Sequence, residues 1–328
     1  MQEIREIRDA RESREIREIV VGTDLSEDAD KALSWAVDEA QRSGATVRVV
    51  LAWSVERCPR VLANHVPSHN ADQLEAAAEK LLHETVERIR ATAPAVTIIE
   101  QPGRADPVDA LLNAATNARM LVIGARGSGR LRRLVTGSVS DACVHMSAGA
   151  VVVVRWAPEQ GRGYERRDGR LAGVPRERRP VLVGVDGSEG SINALRWAAA
   201  AAAQRGVTLR VLHVWMPAPA MYTGYYAGFE GEGLEKAAQA LLEDTLAKGL
   251  GDRTDVTVDA GLMLGAAGTS LIRQAAGAQL LVVGARGHEG FAELLLGSTS
   301  QRCTHHSPCP VAVIHGGGQR QHGGRQHR

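Results

Sequence analysis

The chain repeats itself, and that bounds its fold more than any other feature. Ile19-Val20-Val21-Gly22-Thr23-Asp24 returns as Leu182-Val183-Gly184-Val185-Asp186, and Ala32-Leu33-Ser34-Trp35-Ala36 returns as Ala194-Leu195-Arg196-Trp197-Ala198. The stretch from Val47 to Trp53 matches that from Leu209 to Trp215, all at an offset of 162 positions. A second repeat follows in each half. Gly124-Ala125-Arg126-Gly127, nine residues and Gly137-Ser138 are matched by Gly284-Ala285-Arg286-Gly287, nine residues and Gly297-Ser298. The offset is now 160, so the second half has lost a net two residues in between. A duplication explains this, and 328 residues suffice for two domains, each with its own core.

Within each half the hydrophobic period alternates. β-Branched apolar runs near 17–23, 46–53, 96–100, 119–124 and 150–155 predict buried parallel strands, as do runs near 180–185, 207–214, 255–260, 279–284 and 310–314. Between those of the first half lie segments with helical spacing, about 27–43, 70–92, 105–117 and 137–147. The expected fold is α/β: two tandem open parallel five-stranded sheets flanked by helices, Rossmann-like in plan. The domains are read as 16–156 and 180–315. A charged arm, 1–15, precedes them, a Gly/Arg/Pro-rich linker, 157–179, joins them, and a tail, 316–328, is expected to be disordered.

Bulk properties narrow the partner. The formal net charge is +1 and only two Phe and five Trp are present, so neither nucleic acid nor an anionic membrane is expected. No apolar run approaches the ~20 residues that span a bilayer, and the first twenty residues lack a signal peptide's apolar stretch. Four Cys do not make a disulfide scaffold. A cytoplasmic protein with a small ligand is the expectation.

A strand that turns through glycines into a helix start presents bare backbone N–H groups to phosphate. Gly124, closing a strand without a Cβ, would let a ligand approach; Gly127 and Gly129 permit positive φ; Gly137 and Ser138 open a helix whose orphan N–H groups attract anions. Ser138 and Ser140 offer hydroxyl donors, while Arg126, Arg130, Arg132 and Arg133 bring positive charge. The alternative for a single copy is a flexible turn, but two copies with one spacing disfavour it. Asp24 and Asp186 stand at the carboxyl ends of first strands, suited to ribose hydroxyls or to Mg²⁺ beside phosphates. Their other role is to cap the following helix. Gly22 and Gly184, two residues earlier, would let a ligand lie against the strand.

Val185-Asp186-Gly187-Ser188 together with the Gly-x2-Gly-x9-Gly-Ser loop resembles the universal stress protein family, over nearly the whole chain outside arm, linker and tail. The resemblance implies an adenine nucleotide alpha hydrolase-like domain of the ATP-binding type. It also implies pairing of two copies through their last strands, here Val151 to Arg155 and Val311 to His315, as an intramolecular pseudo-dimer, and leaves a homodimer open. By position it implies that the base meets backbone at Ala52 and Val214 and that ribose faces Asp24 and Asp186. Phosphates would lie on Gly124, Ala125, Arg126, Gly127, Ser128, Gly129 and Arg130 with Ser138, Val139 and Ser140. The second set is Gly284, Ala285, Arg286, Gly287, His288, Glu289 and Gly290 with Ser298, Thr299 and Ser300. The halves differ: Leu25 stands where the second half has Gly187, Ala29 where it has Ser191, and Ser128-Gly129 where it has His288-Glu289. Unequal sites are expected.

The cluster Cys303-Thr304-His305-His306-Ser307-Pro308-Cys309 has the residue types of a zinc site but not the usual spacing, and family members carry a similar stretch as a structural junction. Three functions are distinguished. A regulatory protein that holds ATP, with Mg²⁺ as a companion, comes first. An enzyme that hydrolyses ATP slowly or adenylates comes second, since no Gly-x4-Gly-Lys-Ser/Thr loop and no repeated catalytic pair are present. A ligand-free dimerisation scaffold comes third, with the last strands and the insert Met216 to Gly231, aromatic from Met221 to Tyr226, as its contact surface.

Overall fold

The computed structural model describes residues 18–54, 57–66, 70–127, 137–155, 174–216, 231–287 and 296–316. The arm, most of the linker, nearly all of the tail and the aromatic loop lie outside them.

The first half runs β1 (Glu18–Gly22), α1 (Glu27–Ser43), β2 (Thr46–Trp53), α2 (Arg60–His65), α3 (Ala71–Arg90), β3 (Ile98–Arg104), α4 (Pro107–Ala114), β4 (Met120–Gly124), α5 (Ser138–Met146) and β5 (Val151–Val154). The second runs β6 (Val181–Val185), α6 (Glu189–Arg205), β7 (Leu209–Trp215), α7 (Gly231–Leu250), β8 (Val258–Leu264), α8 (Ala267–Ala275), β9 (Leu280–Gly284), α9 (Ser298–His306) and β10 (Val311–Ile314).

Local chemistry sets these boundaries. Ser26 caps α1 by accepting from the Ala29 N–H at 3.3 Å, acidic Glu27, Asp28 and Asp30 follow in the first turn, and Gly44 ends the helix in the left-handed conformation at φ 65°. Ser188 and Gly206 do the same for α6. In β4, Met120 and Val122 face one side of the sheet and Leu121 and Ile123 the other, all buried. Each such side chain contributes roughly 1.5–3 kcal/mol of apolar burial.

The strands form a single sheet in the order β3-β2-β1-β4-β5-β10-β9-β6-β7-β8. Each half contributes five parallel strands, and β10 pairs antiparallel with β5, Val311 opposite Val153 and Val313 opposite Val151. The two five-stranded sheets read from the sequence are joined edge to edge through their last strands, as the resemblance implied, and their cores run on across the seam. One apolar cluster under α1, α3, α6 and α7 and another under α4, α5, α8 and α9 both run through the two halves. The reason is the seam itself: once β5 and β10 pair, their alternating Val and Ala side chains extend both layers across it.

The outer edges also depart from expectation. β3 begins at Ile98 and continues through Arg104, and β8 runs from Val258 to Leu264, both later than their apolar runs. Edge strands are half solvated, so Gln101-Pro102-Gly103-Arg104 carries no hydrophobic signal. The last linker residues belong to the second half, where Gln279 Nε2 donates to Glu177 O at 3.1 Å and to Arg179 O at 2.6 Å.

A buried ion pair joins α1 to α6. Arg205 Nη2 lies 2.6 Å from Glu39 Oε2, with side chains only 3% and 0% exposed, and the guanidinium stacks 5.8 Å from the Trp35 ring centroid. Beside it Arg119 Nη2 donates to Gln204 Oε1 at 3.0 Å.

Candidate site at the two switch points

β1 and β4 are neighbours, Gly22 opposite Ile123, but the chain leaves them toward opposite faces. Helix α1 packs into one apolar layer and α5 into the other. A crevice opens at the carboxyl ends of such a strand pair, the place where open α/β sheets take ligands. β6 and β9 repeat the arrangement.

Asp24 stands on the β1 side of the crevice. Its Oδ1 accepts from the Ser26 N–H at 3.1 Å, while Thr23 Oγ1 accepts from the Leu25 N–H at 3.0 Å. The intervening Leu25 is left-handed at φ 62°, as is Gly187 at φ 83° in the second half. The turn thus demands a conformation that glycine adopts freely and leucine does not. Asp186 Oδ1 accepts from the Ser188 N–H at 3.0 Å and from its hydroxyl at 2.5 Å. Each aspartate therefore orders its turn and keeps its second oxygen toward the glycine loop.

Across the crevice, Gly127 leaves room for that oxygen. A Cβ there would stand 2.7 Å from Asp24 Oδ2, and Gly287 is pressed by Asp186 Oδ2 in the same way. The loop closes where the Gly137 N–H donates to Ala125 O at 2.9 Å and the Gly297 N–H to Ala285 O at 2.7 Å. These glycines are the N-caps of α5 and α9 and offer no side chain to the first-turn N–H groups. The donors at Ser138, Val139, Thr299 and Ser298 accordingly begin helices whose positive ends open at the crevice.

At the far side, the Thr23 N–H donates to Val50 O at 3.0 Å. Alternate residues of a strand turn their polar groups to one side, so Ala52 directs its N–H and C=O toward the β1 side, beyond the last paired position, Gly22 opposite Val50. In the second half the β6–β7 ladder runs one pair further, to Val185 opposite His213, and Val214 follows directly.

Several site residues serve the fold instead of open space. A Cβ on Gly22 would meet Leu111 Cδ2 at 2.9 Å, and one on Gly184 would meet Leu271 Cδ1 at 2.6 Å. Gly124 lies against the Asp28 carbonyl and Gly284 against that of Gly190, each 2.8 Å from a built Cβ. The missing side chains at these four positions let helices approach the sheet. Ser140 and Ser300 are buried and donate their hydroxyl protons to Gly124 O at 2.7 Å and Gly284 O at 2.5 Å. Those protons are spent within the chain and not offered to an anion. Ala125 and Ala285 are buried in the core. Ser128, Gly129, Arg130, His288, Glu289 and Gly290 lie outside the described residues.

Charge at the two crevices differs. Arg126 Nε lies 3.5 Å from Asp28 Oδ2, and Lys31 Nζ lies 3.3 Å from Asp28 Oδ1. In the second half Gly190 stands where the first has Asp28, with the Arg286 carbonyl oxygen packed against it, so no carboxylate comes from that position. Asp28 was not singled out in the sequence, because acidic residues in a first helical turn are common for dipole reasons alone.

The Cys/His stretch is a structural junction. Ser307 Oγ donates to Cys309 O at 2.9 Å and accepts from the Cys309 N–H at 3.3 Å; Ser147 and Gly149 make the same turn without a cysteine. Burial pushes the Cys303 thiol up to about 12 and the Cys309 thiol up to about 11, away from the thiolate a metal requires. Among the described residues, one group brings three metal-ligating atoms together: His83, Glu87 and Glu100 on the surface. Arg90 already ion-pairs with both of its glutamates. No helix among the described residues is long and apolar enough to cross a membrane.

Comparison with known proteins points to one family. The model of the universal stress protein family matches twice, over residues 15–155 and 177–315. A universal stress protein of Mycolicibacterium smegmatis is 32% identical over 302 residues, covering 90% of this chain and 96% of that one. Universal stress protein Rv1996 of Mycobacterium tuberculosis is 31% identical over 318 residues, covering 90% and 94%. Among solved structures, a universal stress protein from Archaeoglobus fulgidus superposes with a TM-score of 0.60 at 21% identity, covering 91% of this chain and 96% of its own. That likeness is one of fold.

Proposed function

The chain belongs to the universal stress protein family, and on that premise we propose that it is an ATP-binding regulatory protein with one site in each half. The observation that carries this is the duplicated crevice, in which a carboxylate from the first strand faces a glycine loop and a helix N-terminus left without a side-chain cap. The residues suit the ligand. Asp24 and Asp186 would accept from ribose hydroxyls, and the backbone N–H groups of Gly127, Ser138 and Val139, and of Gly287, Ser298 and Thr299, would hold phosphate. Backbone at Ala52 and Val214 would read the adenine edge. Mg²⁺ would supply charge neutralisation of the phosphates, with the carboxylates of Asp24 and Asp186 within the same crevices.

A holding role is preferred to turnover because the sequence repeats no Gly-x4-Gly-Lys-Ser/Thr loop and no catalytic pair in its two halves. The test is calorimetric titration of the full chain with ATP and Mg²⁺. Saturable binding at about two equivalents per chain is expected. Absence of heat with ATP, ADP and AMP alike would overturn the proposal in favour of a ligand-free scaffold, and steady phosphate release would move it to an enzyme.

A further inference from the structure

Resting on the reading above, we propose that the two nucleotide sites are coupled through a crossed pair of contacts at the β5–β10 seam, so that nucleotide in one half raises the affinity of the other.

The seam places each half's last strand beside its own glycine loop and under the other half's last helix. The Ala125 N–H of the first loop donates to Val154 O at 3.0 Å. The next residue, Arg155, crosses the seam, and its Nη1 donates to His305 O in the last turn of α9. Helix α9 begins at Gly297, the phosphate end of the second site. The reverse connection has the same form. The Ala285 N–H donates to Ile314 O at 2.8 Å, and the following residue, His315, crosses to the first half. Its Nε2 lies 2.9 Å from Val144 O, in α5, and its Nδ1 lies 2.8 Å from Gly149 O. Helix α5 begins at Gly137, the phosphate end of the first site.

Each helix therefore has its N-terminus at its own site and its C-terminal carbonyls held by the residue one step beyond the other site's loop. A helix of nine residues is about 13 Å long and moves as a unit. A shift at its N-terminus on phosphate binding reaches the carbonyls that Arg155 or His315 hold. A further contact ties the two helices directly, His305 Nε2 lying 3.3 Å from Asp141 Oδ1 in the first turn of α5. Arg155 also senses the first site's charges: burial lowers its pKa most, the neighbouring Arg126 lowers it further, and Asp28 opposes. Because each helix is bonded to the strand end that also holds the other loop, a site set by the first nucleotide presets the second, which makes the coupling positive.

The experiment measures the coupling factor itself. Titration of Gly287→Val with ATP and Mg²⁺ gives the first site alone, Gly127→Val gives the second alone, and the parent chain gives both stepwise constants. The parent's overall constant should exceed the product of the isolated constants by about fivefold or more. Arg155→Gln, combined with each single-site variant and with neither, should bring that factor under about twofold whatever the shift in the first site's own constant, and leave the second site's isolated constant unchanged. His315→Gln makes the same test from the other half, should Arg155→Gln fail to fold. Two sites that bind with no coupling in the parent, or coupling untouched by both substitutions, would overturn the proposal. No nucleotide binding by the parent at all would instead remove the sites on which it rests.

Discussion

Asp24 and Gly127 meet across the gap between β1 and β4, the carboxylate Oδ2 standing 2.7 Å from where a Cβ would be on the glycine. Asp186 and Gly287 repeat the contact. The two halves of the sequence signature, the aspartate after the first strand and the glycine loop after the fourth, are thus one object in space. The glycine is needed because the carboxylate takes the side chain's place.

Valine at 127 would push that carboxylate aside, and a side-chain tip can move without disturbing the backbone behind it. Gly127→Val is therefore expected to lose nucleotide in the first half by at least tenfold in affinity, about 1.4 kcal/mol, with the thermal midpoint nearly unmoved. Gly287→Val should do the same in the second half. Titration calorimetry beside a melting curve checks both, and a variant that unfolds would show that the glycine serves the fold instead.

Leu25 occupies a left-handed conformation that its counterpart Gly187 adopts without cost. Leu25 also packs against the core, so Leu25→Gly sets relief of about 1–2 kcal/mol of strain against lost apolar contact and glycine's extra chain entropy, and should change stability by less than about 1 kcal/mol. Gly187→Leu should destabilise the chain by about that strain. Urea midpoints at constant slope measure both.

The ion pair between Glu39 and Arg205 is buried, and Glu39 Oε1 has no hydrogen-bond partner among the described residues. Removing one member leaves a charge stranded, so Arg205→Ala should cost about 3–5 kcal/mol. Replacing both, as Glu39→Leu with Arg205→Leu, should cost much less. A double-mutant cycle in urea decides this.

Burial pushes the thiols of Cys143 and Cys303 up to about 12 and that of Cys309 to about 11, from an ordinary 9.0. A disulfide reagent at pH 8 should label Cys58 readily and the other three only after denaturation. The sign for stability follows. The full contribution is present below pH 9, and above it the unfolded chain releases thiol protons that the folded chain retains. Stability should fall between pH 9 and the folded values by up to about 1.4 kcal/mol per pH unit for each thiol.

The elements buried on both faces were legible in the sequence. β1, β4 and β6 are near-continuous apolar runs, and α1 carries its Ser26 cap and Gly44 stop in plain view. That Asp24 and the glycine loop serve one site was implied by the family resemblance, not by their spacing. What was not legible arises from packing between distant segments. Nothing local distinguishes Gly22, which admits Leu111, from a glycine that admits a ligand, nor the Ser140 hydroxyl bound to Gly124 from one free to donate. The merging of two cores into shared layers depends on the β5–β10 register, and Val151 to Val154 would look the same in a sheet that ended there. Arg155 and His315 were passed over because a charged residue after a strand usually meets solvent; here each meets a helix of the other half.

The most direct measurement is to denature the freshly purified chain and quantify released nucleotide by chromatography, before and after incubation with ATP and Mg²⁺. About two adenine nucleotides per chain after incubation are expected, falling to about one in either Gly127→Val or Gly287→Val. A correctly folded chain that releases none and takes up none would contradict the assignment of its duplicated crevices as nucleotide sites.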